Sequence, residues 1–391
     1  MNLMDEGLSC LLFSTADWDA PYWTNKQHMA MSMAKKGIRV LFVESMGLRR
    51  PTMSQRDIQR IVRRLKKGLS KPREVSKDIF VLSPLSVPFN HHWSVVRAFN
   101  QGLLKWQIGH FMKEHHFLNP LVWAYHPFVL EAIAGLEIGP VIYHCVDDVS
   151  QVPGIDAEKF QEEEKRLLAK CKAVFTTSDF LKKTLGNDPK IHYFSNVVDM
   201  EHFGRARSPG PLPEELSKIP EPRLGFIGAL SDYKVDFSLL LDLAIKKPYW
   251  QWIFIGEERE GQTSSLVAKL RELPNCHFWG YRAYRDLPQY LRGMNVGLLP
   301  SLINDYTKAM FPMKYYEYLA AGLPVVSTSL EFTKSVNEGL LIGNDPEAFA
   351  EAIESQLKRG RLSEEEAVRF VGENTWEGRL EKMLEVIGFD L

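Results

Sequence analysis

The amino-acid sequence predicts an α/β protein built as two doubly wound halves facing a central cleft. Three observations carry that expectation. The chain has 391 residues, which at roughly 100–200 residues per domain suits two domains. Short apolar, β-rich runs alternate with helical patterns along most of the length, the signature of βαβ units. One stretch, 204–223, interrupts the alternation with five prolines and two glycines, and the alternation then restarts.

In the first half the expected strands are 8–13, 38–43, 79–82, 121–125, 140–145, 172–176 and 191–194. Several are apolar on both faces, as a parallel sheet buried under helices requires. Helical patterns lie between them at 25–36, 54–69, 93–115, 156–170 and 178–185. After the proline-rich stretch, strands are expected at 223–228, 251–255, 276–279, 295–299 and 323–327. Helices are expected at 235–246, 262–272, 286–292, 313–321, 346–357, 363–371 and 375–387. The domains so predicted are 1–203, a hinge at 204–223, a second domain at 224–374, and a C-terminal helix in 375–391 that returns toward the first domain. Ligands of open α/β sheets bind beyond the carboxyl ends of the strands, so the cleft between the halves is the expected site.

Composition narrows the function. Hydrophobic residues make up 45% and charged residues 25%, an ordinary globular balance that excludes a disordered or fibrous chain. The formal net charge is −1, too little to drive counterion release, so no nucleic-acid partner is expected. That total conceals an asymmetry. Residues 49–77 carry eleven Lys or Arg against Asp57 and Glu74, a net +9, which leaves −10 on the other 362 residues. The four cysteines (Cys10, Cys145, Cys171, Cys276) form no C-x-x-C pair and suit a reducing cytoplasm. The N-terminus shows no basic n-region or cleavage site, and no run approaches the ~18 apolar residues of a spanning helix. The expected location is cytoplasmic, with the inner face of the cell membrane as a surface it can rest on.

The stretch 311–328, FPMKYYEYLAAGLPVVST, carries the most chemistry. Pro312 suits a helix start, and Lys314 and Glu317, three apart, share one helix face. Gly322 can take the left-handed cap that ends the helix. A helix N-terminus attracts phosphate, a first-turn lysine adds a cation, and a carboxylate one turn on can accept the hydroxyls of a ribose. The arrangement suits a nucleoside diphosphate; an ordinary amphipathic helix with a surface Lys–Glu pair would read the same.

The pattern P-x-K-x-x-E-Y-L-A-x-G-x-P-V-V resembles the donor-nucleotide motif of the GT-B glycosyltransferases, especially the family 4-like group (glycosyl transferases group 1) used in bacterial surface polysaccharide synthesis. SNVVDMEHF (195–203), LGFIGALSDYKVDFSLLLDLA (224–244), NCHFWGYRAYRDLPQYLRGMNVGLLPS (275–301) and NKQHMAMSMAKKGIRVLFVE (25–44) resemble further segments of that family in the family's order. The resemblance implies the GT-B fold, two Rossmann-like doubly wound domains. It implies a donor site in the second: Gly228 for close approach of a phosphate, Lys314 and Lys234 on the diphosphate, Glu317 on the ribose, and Tyr281 and Arg282 around the base. The first glutamate of the family's E-x7-E pair would stand at 309, where this chain has Ala309. The resemblance also implies that no bound metal or other cofactor is needed.

In the first half, His126 closes a strand in WAYHP and resembles the family's strand-end histidine near the transferred sugar; a packing histidine is the alternative. Asp147 and Asp148 follow the next strand in a position suited to proton transfer, or to capping the helix that follows. Asp17 and Asp19, in DWDAPYWTNKQH, stand on the acceptor side, with Asn25 as a helix cap. His91–His92 and His115–His116 lack the context of a metal site. No G-x-G-x-x-G follows the first strand, and there is no P-loop.

Within 54–70, Ile58, Ile61, Val62, Leu65 and Leu69 recur at helical spacing among arginines and lysines, a basic amphipathic helix of the membrane-surface kind. Trp93, Phe99, Trp106, Phe111 and Phe117 follow among basic groups, so 49–117 is the expected contact with an anionic leaflet; packing on the first domain is the alternative. The expected activity is transfer of a sugar from a UDP- or GDP-sugar to a hydroxyl of a glycan or lipid-linked glycan. A sugar-nucleotide epimerase of the same fold and a non-catalytic nucleotide-sugar-binding scaffold are the alternatives.

Overall fold

A computed structural model describes residues 7–20, 23–45, 71–85, 94–152, 154–258 and 264–389. The chain divides into two compact units. Met1–Thr177, Leu181–Phe194 and Leu380–Leu391 form the first, and Ser178–Phe180 and Ser195–Arg379 the second.

The first unit is built on eight strands: β1 (Ser9–Phe13), β2 (Arg39–Val43), β3 (Arg73–Ser76), β4 (Ile79–Leu82), β5 (Leu121–Ala124), β6 (Val141–Cys145), β7 (Ala173–Thr176) and β8 (Ile191–Tyr193). They pair in the order β3-β4-β2-β1-β5-β6-β7-β8. β1, β5, β6 and β7 are buried at every residue, which is why their sequences are apolar without alternation. Trp123, fully buried on β5, donates its indole N–H to His144 Nδ1 at 3.2 Å and stacks on Phe175, so its polar group is satisfied inside the core. The strand order reverses between β1 and β5, which both pair in parallel. The loops after those two strands therefore flank a topological switch point, the place where α/β sheets bind ligands.

All seven strands expected in this half are present. β3 is an addition: it pairs antiparallel with β4 at the sheet edge, and its sequence Arg-Glu-Val-Ser lacks the apolar signal. A charged, short, bulged strand is the usual form of an edge, because it discourages further pairing. The expected basic helix at 54–70 lies outside the described residues. The one expected at 93–115 is Ser94–Glu114, with Phe111 and, just beyond, Phe117 buried, whereas Phe99 and Trp106 are exposed (59% and 65%). Among the described residues no helix is long and apolar enough to cross a membrane.

The second unit has six parallel strands: β9 (Arg223–Ile227), β10 (Gln251–Ile255), β11 (Cys276–Phe278), β12 (Val296–Leu299), β13 (Val325–Ser327) and β14 (Leu340–Ile342), in the order β11-β10-β9-β12-β13-β14. Its switch point lies between β9 and β12. One apolar layer, including Leu240, Trp252, Val296 and Ile353, covers one face. The other layer, including Ile253, Leu291, Tyr318 and Leu319, seats the Met313–Ala320 helix.

The proline-rich stretch 204–223 is not the boundary the composition suggested. It lies wholly inside the second unit, and the chain passes between units at 177–178, 180–181, 194–195 and 379–380. Its prolines mark irregular backbone rather than a hinge. Leu216 is fully buried, and three carbonyls of the stretch, those of Arg205, Ser208 and Pro211, accept from the Arg292 guanidinium at 2.9–3.0 Å. Leu380–Leu391 belongs to the first unit, where the Lys172 ammonium donates to the Ile387 carbonyl at 2.6 Å and Glu381 pairs with Lys36.

Candidate functional site

The strand ends of the second unit approach one another through glycine. Gly228, after β9, donates its N–H to the Ile255 carbonyl at 3.0 Å. Gly256, after β10, has φ +150°, and a Cβ there would stand 1.8 Å from the Gly228 carbonyl oxygen. Only glycine permits that approach. Gly256 in turn donates to the Gly280 carbonyl at 2.9 Å, so the ends of β9, β10 and β11 pack backbone on backbone as a common floor.

Beside this floor stands the Met313–Ala320 helix. Pro312 is its N-cap, and Gly322, at φ +78°, closes it as the sequence suggested. The Tyr318 hydroxyl accepts from the Ile227 N–H at 2.9 Å, tying the helix to the last residue of β9. Lys314 Nζ donates to Glu317 Oε2 at 2.5 Å. Glu317 is 3% exposed and Lys314 27%, so this is not a surface pair. A carboxylate removed from water is costly unless paired. Its charge also reaches its neighbours: the Tyr284 hydroxyl is held far above the usual tyrosine range, first by burial and then by Glu317.

The other expected donor residues occupy distinct positions. The Lys234 ammonium lies over the rings of Tyr233 (4.9 Å) and Tyr306 (5.0 Å), a cation–π arrangement beside the switch point. Tyr281 and Arg282 follow Gly280, but the Arg282 side chain turns to structural partners. It donates to the Tyr290 hydroxyl (2.7 Å), to Glu215 (3.1 Å) and to the carbonyls of Trp279 and Tyr281. These bonds tether the loop. Ala309 is fully buried, and its carbonyl accepts from the Ser178 hydroxyl at 2.8 Å. The sequence gives no sign of one further contact. The His202 and Tyr284 rings stack at 4.2 Å and 9°, next to Glu317, although 82 positions separate them in the chain.

In the first unit, His126 follows β5 at the switch point and is 7% exposed, with Nδ1 buried and without a hydrogen-bond partner. Burial, and then the nearby Lys26 ammonium, pull it down to about 4. Asp148 is a cap: its Oδ1 accepts from the Ser150 N–H (3.1 Å) and hydroxyl (2.5 Å), starting the short Val149–Gln151 turn. Asp147 precedes it, its carbonyl accepting from the Cys145 thiol at 3.8 Å. Glu164, not singled out by the sequence, accepts from the Tyr143 hydroxyl at 2.6 Å, and burial raises its carboxyl above the usual range. Asp19 pairs with Arg73 on the edge strand at 2.7 Å, both side chains half-exposed. Asp17 stays at the switch point, its carbonyl accepting from Gln27 Nε2 at 3.0 Å. The cap of the Asn25–Lys35 helix is Thr24, whose N–H donates to Gln27 Oε1, rather than Asn25. Among the described histidine pairs, His115 stacks on Phe111 and the His116 carbonyl accepts from Arg39. His91–His92 lies outside the described residues.

Residues 221–359, within the second unit, match the family model described as Glycosyl transferases group 1. A Bacillus subtilis (strain 168) protein, TuaH, named as a glycosyltransferase of teichuronic acid biosynthesis, is 30% identical over 203 residues. Those residues are 50% of each chain, so this chain spans about half the length of the curated relative it matches. Among solved structures, sucrose-phosphate synthase from Thermosynechococcus elongatus is 16% identical (TM-score 0.65), the match covering 97% of this chain and 96% of that one. Anabaena HepE, in complex with UDP and glucose, is 14% identical (TM-score 0.63), covering 97% and 99%. The UDP-forming alpha,alpha-trehalose-phosphate synthase from Burkholderia vietnamiensis is 11% identical (TM-score 0.66), covering 97% of each. At such identities the likeness is one of fold, and the fold is GT-B.

The depressed His126 gives a pH prediction. As pH falls from about 6.5 toward 4, the unfolded chain takes up a proton that the folded chain resists, so stability falls with acid and is fully present above that window. The loss attributable to His126 is about 3 kcal/mol across the window. His126→Gln should flatten that part of a denaturant-derived stability–pH profile; an unaltered slope would contradict the assignment.

Proposed function

We propose that the chain is a glycosyltransferase that moves a sugar from a nucleoside-diphosphate donor to a hydroxyl of a glycan or lipid-linked glycan in cell-surface polysaccharide synthesis. The observation that carries the reading is the buried Lys314–Glu317 pair on the Met313–Ala320 helix, inside the matched 221–359 domain. A UDP- or GDP-sugar would lay its diphosphate at the N-terminus of that helix, where Lys314 and Lys234 supply positive charge to the leaving group. Glu317 would accept from the ribose hydroxyls, and the base would lie against the backbone of 280–281. The tie between that helix and the end of β9, where the Tyr318 hydroxyl accepts from the Ile227 N–H, supports this reading, because ligands of α/β sheets bind at the carboxyl ends of the strands. So do the UDP complex of HepE and the UDP-forming chemistry in the name of the trehalose-phosphate synthase.

Cationic side chains serve in place of a metal or other cofactor in this scheme. The first unit would contribute the acceptor contacts, with Asp147 or Asp148 to take the acceptor proton if the reaction inverts and His126 as a sugar-positioning group. The enzyme would work in the cytoplasm, at the inner face of the membrane. The exposed Phe99 and Trp106, on the same helix as Lys113, support a membrane-facing side of the first unit. The relative named for teichuronic acid biosynthesis supports a surface polysaccharide as the product.

Calorimetric titration with UDP and GDP tests the donor site. Glu317→Ala should weaken the bound nucleotide at least tenfold, since each charge-assisted hydrogen bond is worth about 1.5–3 kcal/mol; unchanged affinity would refute the assignment. Vesicle flotation tests the membrane reading. The full chain should float with anionic vesicles at low salt, and Trp106→Ala with Phe99→Ala should reduce the floated fraction; sedimentation of the unaltered chain would end that reading.

A further inference from the structure

We propose that His202 is a positioning residue for the nucleotide-binding loop, acting through Tyr284; the inference rests on the donor reading above. The loop starts at Gly280, which is bridged to Gly256, and runs into the short turn Tyr284–Asp286 and the Leu287–Arg292 helix. Arg282 tethers its middle to Glu215 and Tyr290. At its far end, Tyr284 is held by His202 in two ways. The rings stack face to face at 4.2 Å and 9°, and the His202 Nε2 lies 3.0 Å from the Tyr284 carbonyl oxygen.

A carbonyl oxygen only accepts, so Nε2 carries the proton. Burial pulls His202 below the usual histidine range, which suits the neutral imidazole that this tautomer describes. His202 is itself fixed. It sits in the Met200–Gly204 helix, its own N–H donates to the capping Asp199 at 2.9 Å, and Phe203 meets both rings edge-on, at 4.9 Å and 5.5 Å. The stack stands beside Glu317, whose charge both rings feel. Filling this space would need only an apolar ring. A buried imidazole that gives its N–H to a loop carbonyl adds direction: it sets where the backbone of 280–284 stands relative to the carboxylate assigned to the ribose. His202 touches neither the donor nor the reacting atoms in this account.

Two substitutions separate the roles. His202→Phe keeps a stacked ring and removes the donor; His202→Gln restores an N–H donor without the ring. The expected result is that His202→Phe melts within a few degrees of the unaltered chain while its UDP or GDP dissociation constant rises five- to tenfold. Hydrogen exchange at 284–287 should accelerate in the same variant, and His202→Gln should recover at least half of the lost affinity. Unchanged nucleotide affinity and unchanged exchange at 284–287 in His202→Phe would overturn the proposal, as would a His202→Gln that binds no better than His202→Phe. Failure of the unaltered chain to bind either nucleotide would instead sink the donor reading, while the exchange measurement still decides whether His202 holds the loop.

Discussion

Glu317 is a carboxylate almost entirely removed from water, and the organisation of the second unit follows from having to keep it there. The charge is compensated by Lys314 one turn away, and the helix that carries both is fixed at each end. Pro312 caps its start, Gly322 closes it, and Tyr318 bonds it to the end of β9. Buried ion pairs rarely add net stability, because desolvation cancels most of their attraction. Stability alone therefore does not account for this pair, and the proposed donor role does.

The surroundings of the pair are arranged in the same sense. At Gly256 the space a Cβ would fill is taken by the Gly228 carbonyl, so the two strand ends pack backbone on backbone. The loop that begins at Gly280 is anchored three times: to Gly256 by backbone, to Glu215 and Tyr290 by Arg282, and to His202 by Tyr284. Two of those anchors, Glu215 and His202, lie in or next to the proline-rich stretch. That stretch thus belongs to the second unit structurally and supports the loop. Preorganised dipoles and cations of this kind stabilise a departing diphosphate without reorganisation during the reaction.

Much of this was legible in the sequence because local pattern and tertiary role coincided. The unbroken apolar runs of β1, β5 and β9 require a sheet covered on both faces. The three-residue spacing of Lys314 and Glu317 put them on one helix face, and Gly322 was placed by its cap. What the sequence could not resolve was partner choice. Asp147 and Asp148 are adjacent and chemically alike, yet hydrogen bonds from Ser150 make Asp148 a cap. Arg282, expected near a base, is bonded to Glu215 and Tyr290, a choice no local pattern reveals. Asp19 is claimed by Arg73, on a strand too polar to be foreseen. Burial of Glu317, which decides between a surface pair and a binding pair, depends on elements far away in the chain. The stacking of His202 on Tyr284 has no local signal for the same reason.

The central claim is that the nucleotide diphosphate binds against the Lys314–Glu317 helix and the glycine-floored strand ends beside it. Hydrogen–deuterium exchange with and without saturating UDP or GDP tests it most directly. The account predicts slowed exchange in 228–234, 280–286 and 313–317, with the strands β13 and β14 unchanged. Nucleotide binding that leaves those three segments unprotected, or that protects a different part of the chain, would contradict it.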